Sequence, residues 1–322
     1  MKKTFCILLA LAMVLGLCAC GGSSAPASSG EKTYVVGICQ LVQHEALDAA
    51  TQGFKDAIVA ELGDKVTFLE QNAAGDSATC STICNQFVSE KVDLIMANAT
   101  PALQAAAAST DSIPILGTSV TDYASALEID GWTGTTGKNI SGTSDLAPLD
   151  GQVAMFAELL PEAKTIGIVY CSAEANSKYQ ADVVADLLQK AGCTVNVYTF
   201  ADSNDIASVV TNACASCDAL YIPTDNTAAS ATETVSNVAL PAGIPIICGE
   251  EGMCSGCGIA TLSISYYDLG SATGKMAVEV LKNGADVSSM EVEFAPNFTK
   301  KFNADICSQL GITIPSDYIA IG

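Results

Sequence analysis

The chain contains no arginine, since all 14 of its basic residues are lysine. The planar, two-pronged clamp that a guanidinium offers to a carboxylate or phosphate is therefore missing. Any anion must be held by backbone N–H groups, hydroxyls or a lysine. His44 is the only histidine, so neither a Ser-His-acid triad nor a histidine-rich metal set can be assembled. It reads as a polar loop residue. No GxxxxGK[ST] run is present to cradle nucleotide phosphates. These absences remove the usual supports of an enzyme, and no catalytic residue, cofactor or metal site is expected. Aromatic residues are only 6% of the chain, which leaves few flat walls for stacking.

Positive charge is also scarce. Residues 1–19 hold two of the lysines and no acid, so beyond them 12 lysines face 35 acids, a net charge of −23. A polyanion such as nucleic acid is excluded as a partner. Beyond the first residues no stretch is both long enough and free enough of charge to cross a bilayer.

The opening is different. Lys2 and Lys3 precede an apolar run from Phe5 to Leu17, followed by small residues up to Cys20. That is a secretory signal, too short for a stable span. Its end, Leu17-Cys18-Ala19-Cys20, resembles a bacterial lipobox, in which the cysteine carries diacylglycerol and becomes the mature N-terminus. The following GGSSAPASSG cannot bury apolar area and is expected to act as a tether. About 290 residues remain, enough for two lobes of ordinary size.

Eleven cysteines lie beyond Cys20, an odd number spread over a domain-sized chain, which is no disulfide framework. Cys214-x-x-Cys217 and Cys254-x-x-Cys257 have zinc-ribbon or redox spacing. The plainer reading is small buried hydrophobes.

Strand-length apolar runs alternate with helical periodicity. Strands are expected at Tyr34 to Leu41, Val66 to Glu70, Asp93 to Asn98 and Ile113 to Gly117, and again at Thr165 to Tyr170, Thr194 to Phe200, Ala219 to Pro223 and Ile244 to Cys248. Leu47, Ala50, Phe54, Ala57, Ile58 and Leu62 fall on one helical stripe between them. Such alternation predicts parallel sheets covered on both faces. The halves also repeat: VDLIMANATPA (from Val92) aligns with CDALYIPTDNTA (from Cys217), and SIPILGTSV (from Ser112) with GIPIICGEE (from Gly243). A duplicated, doubly wound lobe follows.

In doubly wound sheets ligands sit beyond the carboxyl ends of the strands, at helix N-termini. The expected ends are rich in Ser, Thr, Asn, Asp and Glu. These are also the preferred helix caps, so each residue serves capping as readily as binding. Thr100 before Pro101 is ideal helix punctuation by itself. Five acids at five strand ends, Glu45, Asp122, Glu174, Asp225 and Glu250, would repel one another around one cleft unless a cation joined them. A ligand ammonium meets that need, and a ligand carboxylate suits helix N-termini and the hydroxyls of Thr100, Thr121, Ser144 or Ser172. An amino-acid head has both groups. Tyr123, Trp132, Tyr170, Tyr179 and Tyr267 are the aromatics near these loops.

The segments QLVQHEALDAATQGF, NATPALQAAA, ISGTSDLAP, EANSKYQ, YIPTDNTAASA and YYDLGSATGKMA resemble ABC-transporter substrate-binding lipoproteins of the tryptophan/tyrosine type, from about Tyr34 to Phe302. A departure is His44-Glu45-Ala46, where the family pattern has a proline after an acidic pair. The resemblance implies an α/β type I periplasmic-binding-protein fold: two doubly wound parallel-sheet lobes joined by a three-strand hinge. It places crossings near Ser141 to Asp145, Cys248 to Glu250 and Asp286 to Ser289. The expected organisation is signal peptide 1–19, lipidated Cys20 and tether to 32, lobe 1 at 33–143 plus 250–286, and lobe 2 at 144–249 plus 287–322. Expected ligand contacts are Glu45, Thr100, Thr121, Asp122, Ser144, Asp145, Ser172, Glu174, Asn176, Asp225, Asn226, Glu250, Tyr267 and Asp268. The resemblance implies a monomer tethered by lipid to the outer face of the membrane, partnered by an ABC permease and its ATPase. Its cargo would be an aromatic or other hydrophobic amino acid. A sugar or nucleoside cargo, or a sensor docking on a membrane receptor, are the competing readings.

Overall fold

Parallel strands buried on both faces read as continuous apolar runs, whereas edge strands alternate. Both patterns appear in the computed structural model, which describes residues 32–322. The expected signal peptide, Cys20 and nearly all of the tether lie outside the described residues. The chain runs β1 (Tyr34–Gln40), α1 (Glu45–Leu62), β2 (Val66–Asn72), α2 (Ser77–Glu90), β3 (Leu94–Asn98), α3 (Thr100–Ser109), β4 (Ile115–Val120), α4 (Tyr123–Ala126) and β5 (Ile140–Ser144). It continues with α5 (Leu149–Leu159), β6 (Thr165–Cys171), α6 (Ala175–Lys190), β7 (Thr194–Phe200), α7 (Ile206–Cys214), β8 (Ala219–Ile222), α8 (Asn226–Ala229) and α9 (Thr232–Ala239). The last part is β9 (Ile246–Cys248), α10 (Glu251–Cys257), β10 (Ala260–Ser263), α11 (Tyr266–Asn283), β11 (Glu293–Phe294), β12 (Thr299–Phe302), α12 (Ala304–Leu310) and β13 (Ile319–Ala320).

Two sheets result, ordered β11-β5-β4-β3-β1-β2 and β13-β12-β10-β9-β8-β6-β7. All described pairings are parallel except β10 with β12. Central β3 and β8 are buried at every position, while edge strand β2 alternates. The expected α/β fold with two parallel-sheet lobes is what the chain forms.

The chain changes sheet three times. The first change follows β5, because α5 packs on β9 and β10. The other two differ from expectation. Ala260 of β10 pairs with Ile247 of β9, so α10 and β10 stay in lobe 2, and the return to lobe 1 comes only at 264–265. Glu293 of β11 then pairs with Thr143 of β5, which keeps the chain in lobe 1 until 295–298. The expected lobe boundaries near 250 and 286 are corrected accordingly. Lobe 1 comprises 33–144 plus 266–294, and lobe 2 comprises 149–263 plus 299–322. Within lobe 1, α11 lies against α1 at backbone distance. A methyl on Gly270 would collide with the Ala50 carbonyl, and one on Gly53 with the Tyr267 carbonyl.

All eleven described cysteines are free thiols, and only Cys193 and Cys214 are partly exposed. Cys217 takes weak contacts from Tyr198 and Asn196, and Cys254 and Cys257 sit in the lobe 2 core. Among the described residues, no group of three or more His, Cys, Asp or Glu side chains is arranged to hold a metal. No described helix is long and apolar enough to cross a membrane.

Candidate functional site

The carboxyl ends of β1, β3 and β4 face those of β6, β8 and β9. Helix α6, which follows β6, packs its lobe 2 body against α3 and α4 of lobe 1. His44 Nε2 lies 3.3 Å from Asn226 Oδ1 across the gap. Near the hinge, the Tyr266 hydroxyl donates to Asp145 Oδ2 at 2.9 Å and Thr121 Oγ1 donates to Asp145 Oδ1 at 3.0 Å. Burial raises the pKa of Asp145, opposed by these two donors.

The expected acids divide by what they touch. Glu174 is buried and receives the N–H groups of Asn226 and Thr227, the Thr227 hydroxyl, and the amides of Asn226 and Asn176. Its carboxylate thus organises the start of α8. Asp225 accepts from Ala228 N at 2.8 Å and Cys171 N at 2.7 Å. Its pKa is raised by burial and then by the neighbouring Glu174. Glu250 caps α10 through Gly252 N and Met253 N, and burial pushes its carboxyl up to about 7. Asp122, half-buried, caps α4 through Ser125 N.

Several expected contacts stand elsewhere. Ser172 is exposed and bonded to the Phe200 carbonyl, because it turns toward β7 and away from the gap. Tyr267 and Asp268 are exposed, and the Tyr267 hydroxyl reaches Asp56 on the outer face of α1. The tyrosine that turns inward is its neighbour Tyr266. A signal for it existed: Tyr266, Gly270 and Gly274 recur at four-residue spacing, marking the face that approaches α1. Glu45 is exposed at the start of α1. Ser144 is buried but committed to the Thr121 carbonyl, and Thr121 is committed to Asp145. Of the aromatics, Tyr123 and Tyr170 belong to the lobe cores and Trp132 packs beside the lobe 1 core. Tyr179, part-buried on α6, feels the charge of Asp122 from the other lobe.

Among the described residues, five buried side-chain polar atoms have no hydrogen-bond partner. Four are at or just beyond strand ends: Asn98 Oδ1, Thr100 Oγ1 and Ser119 Oγ in lobe 1, and Asn176 Oδ1 in lobe 2. Buried polar groups are almost always satisfied, and leaving one unmade costs about 1–3 kcal/mol. Ser119 was not among the expected contacts. Its left-handed backbone (φ 54°) lies inside β4, where the register against β5 shifts between Gly117 and Val120, and is invisible in residue type.

Two cavities have walls from both lobes, and neither is lined by Thr100, Ser119 or Asn176. One, of about 740 Å³, lies on the hinge side and is lined by Glu45, Glu250, Tyr267, Asp268 and the crossings near Ile264 and Pro296. The other, of about 150 Å³, opens at the far end between Pro101 of lobe 1 and Thr227 of lobe 2. The candidate site is placed between them, at the strand ends. Glu45 and Asp268 of the larger cavity are exposed and its Glu251 is already paired with Lys301 at 2.7 Å, whereas the strand ends hold buried atoms lacking partners.

Residues 35–320 match the family model described as ABC transporter substrate binding protein. The chain belongs to this family. Among curated relatives, the Tyrosine-binding protein of Clostridioides difficile (strain R20291) is 37% identical over 291 residues, covering 88% of this chain and 84% of that one. Among solved structures, an ABC domain in complex with L-Trp from Streptococcus pneumonia is 36% identical, with a TM-score of 0.84 and coverage of 88% and 97%. The ligand-free, open structure of a substrate binding protein with adhesive properties from Clostridium difficile is 37% identical, with a TM-score of 0.67 and coverage of 90% and 100%. Family membership makes this chain the solute-binding component of a transporter.

Proposed function

We propose that the chain captures an amino acid with an aromatic side chain between its lobes and delivers it to an ABC permease from a lipid anchor at Cys20. One observation carries this reading. Asn98 Oδ1, Thr100 Oγ1, Ser119 Oγ and Asn176 Oδ1 are buried without partners at or just beyond strand ends, Asn176 is bonded to the buried Glu174, and Asp225 and Glu250 are buried carboxyl groups at two further strand ends. A zwitterion offers hydroxyls an acceptor and offers the amide oxygen and the acids a donor. The relatives named for tyrosine and crystallised with L-Trp support the aromatic cargo.

The mechanism is hinge closure. Ligand contacts to both lobes favour the closed state, and the permease recognises that state. The lipobox-like Cys20 and the tether after it support attachment at the outer face of the membrane. Titration calorimetry with L-tyrosine, L-tryptophan, L-phenylalanine, a hexose and a nucleoside tests the cargo. Saturable heat with an aromatic amino acid is expected; heat with the hexose or nucleoside alone would replace the reading.

A further inference from the structure

The cavity of about 740 Å³ on the hinge side has a chemistry of its own. Its floor is a small apolar cluster separate from the lobe cores: Ala46, Ile264, Tyr266 and Leu269, with Ala49 and Ala295 packed against them. On its rim Phe294 is 56% exposed, an apolar ring that the chain itself leaves uncovered. A concave space of this size with apolar walls and a few polar groups accepts a small organic molecule.

Charge selects which kind. Glu45, Asp268 and Glu293 line the cavity, and among the described residues their carboxylates have no hydrogen-bond or ion-pair partner. Lys301 is the single cation in the lining, and it is paired with Glu251 at 2.7 Å. Burial, and then the charges of Glu45 and Glu251, raise the Glu250 carboxyl to about 7. Acids of the two lobes therefore confront each other here. A methyl on Gly252 of lobe 2 would lie 3.3 Å from the Glu45 Cβ of lobe 1, so the lobes come into close approach along this rim. Hydrocarbon walls under an acidic rim with no free cation suit a positive charge carried on an apolar body.

We propose that this cavity is a second ligand site, distinct from the cargo site, which takes a primary amine on a hydrocarbon chain. The ammonium sits on the rim of Glu45, Asp268 and Glu293, and the chain lies against Ile264, Leu269 and Phe294. The walls come from both lobes and from two of the three crossings, at Ile264-Ser265 and Ala295-Asn297, so an occupant ties together the parts that a hinge motion would separate. Cargo bound between the lobes favours the same arrangement. Each ligand therefore tightens the other by the same factor. This coupling rests on the hinge-closure reading above; the amine site itself does not.

Calorimetry with hexylamine, 1-hexanol and hexanoate tests the proposal, on the protein alone and on the protein saturated with L-tyrosine. Hexylamine should give saturable heat in both, with affinity at least about 10-fold above that of the alcohol, and hexanoate should give none. Saturating hexylamine should tighten L-tyrosine by about 3-fold, and saturating L-tyrosine should tighten hexylamine equally. Glu45→Gln combined with Asp268→Asn should weaken hexylamine by about 10-fold and leave the alcohol unchanged. Ala272→Phe should fill the cavity and abolish the heat of both, whereas Asp111→Asn, at an exposed acid elsewhere in lobe 1, should change neither. Melting temperatures confirm that each variant is folded. The site is overturned if hexylamine gives no heat, if it binds no better than the alcohol, if the double variant leaves its affinity intact, or if it competes with L-tyrosine. Binding of both ligands with no mutual tightening overturns the bridging role. A protein that takes hexylamine but no aromatic amino acid loses the proposed cargo and keeps the second site.

Discussion

His44 Nε2 and Asn226 Oδ1, 182 positions apart in the chain, meet at 3.3 Å from opposite lobes. The Asn226 amide nitrogen is already bonded to Glu174 at 2.6 Å, so its oxygen faces the ring and the imidazole must be the donor. Burial lowers the pKa of His44, opposed by the bond to Asn226, which favours the neutral ring with its proton on Nε2. His44→Ala removes this contact between the lobes and leaves each lobe intact. Affinity for the amino acid should fall roughly 3–10-fold with an unchanged melting temperature, measured by calorimetry and thermal scanning.

Acid should stabilise the ligand-free protein. Burial raises the Glu250 carboxyl from its ordinary 4.5 to about 7, and burial raises Asp225 as well. A carboxyl whose folded pKa is raised contributes stability in full below about 4.5 and loses it as pH climbs through 7. For Glu250 alone the swing is up to about 3 kcal/mol. Melting temperatures should therefore drop between pH 5 and pH 8.5, and Glu250→Gln should flatten the drop. A bound ammonium favours the ionised acids, so affinity should rise over the same interval, with proton release seen as buffer-dependent heat.

Gly270→Ala should be costly for a steric reason. The added methyl would overlap the Ala50 carbonyl oxygen, so α1 and α11 would have to move apart. A loss of about 1–3 kcal/mol is expected from urea unfolding, whereas a loss below about 0.5 kcal/mol would mean that the helices do not touch at this point.

The thiols should behave as packing groups. Under denaturing conditions all eleven cysteines from Cys39 to Cys307 should alkylate without prior reduction. In the folded protein Cys193 and Cys214 should react first, since they alone are partly exposed. Mass spectrometry of partly labelled protein checks this. A disulfide surviving in the denatured sample would contradict it.

The strand at Thr194–Phe200 was legible from its residues alone, as was the duplication of β3–α3 in β8–α8, because apolar periodicity and turn residues are local properties. The helix stripe of Leu47, Ala50, Phe54, Ile58 and Leu62 is buried as its spacing requires. Thr100 and Asn176 could be listed from sequence, but so could Ser172, since every polar strand end looks alike there.

Two crossings and half of the site depended on partners far away in the chain. Residues 260–263 extend lobe 2 because Ala260 meets Ile247, a pairing whose register no local pattern encodes. Tyr266 rather than Tyr267 turns inward because adjacent helical positions point about 100° apart, and the close approach of Gly270 to α1 sets the phase. Composition and periodicity determined that two similar lobes would form. Which polar atoms were left without partners was decided only when the folded chain had satisfied the rest.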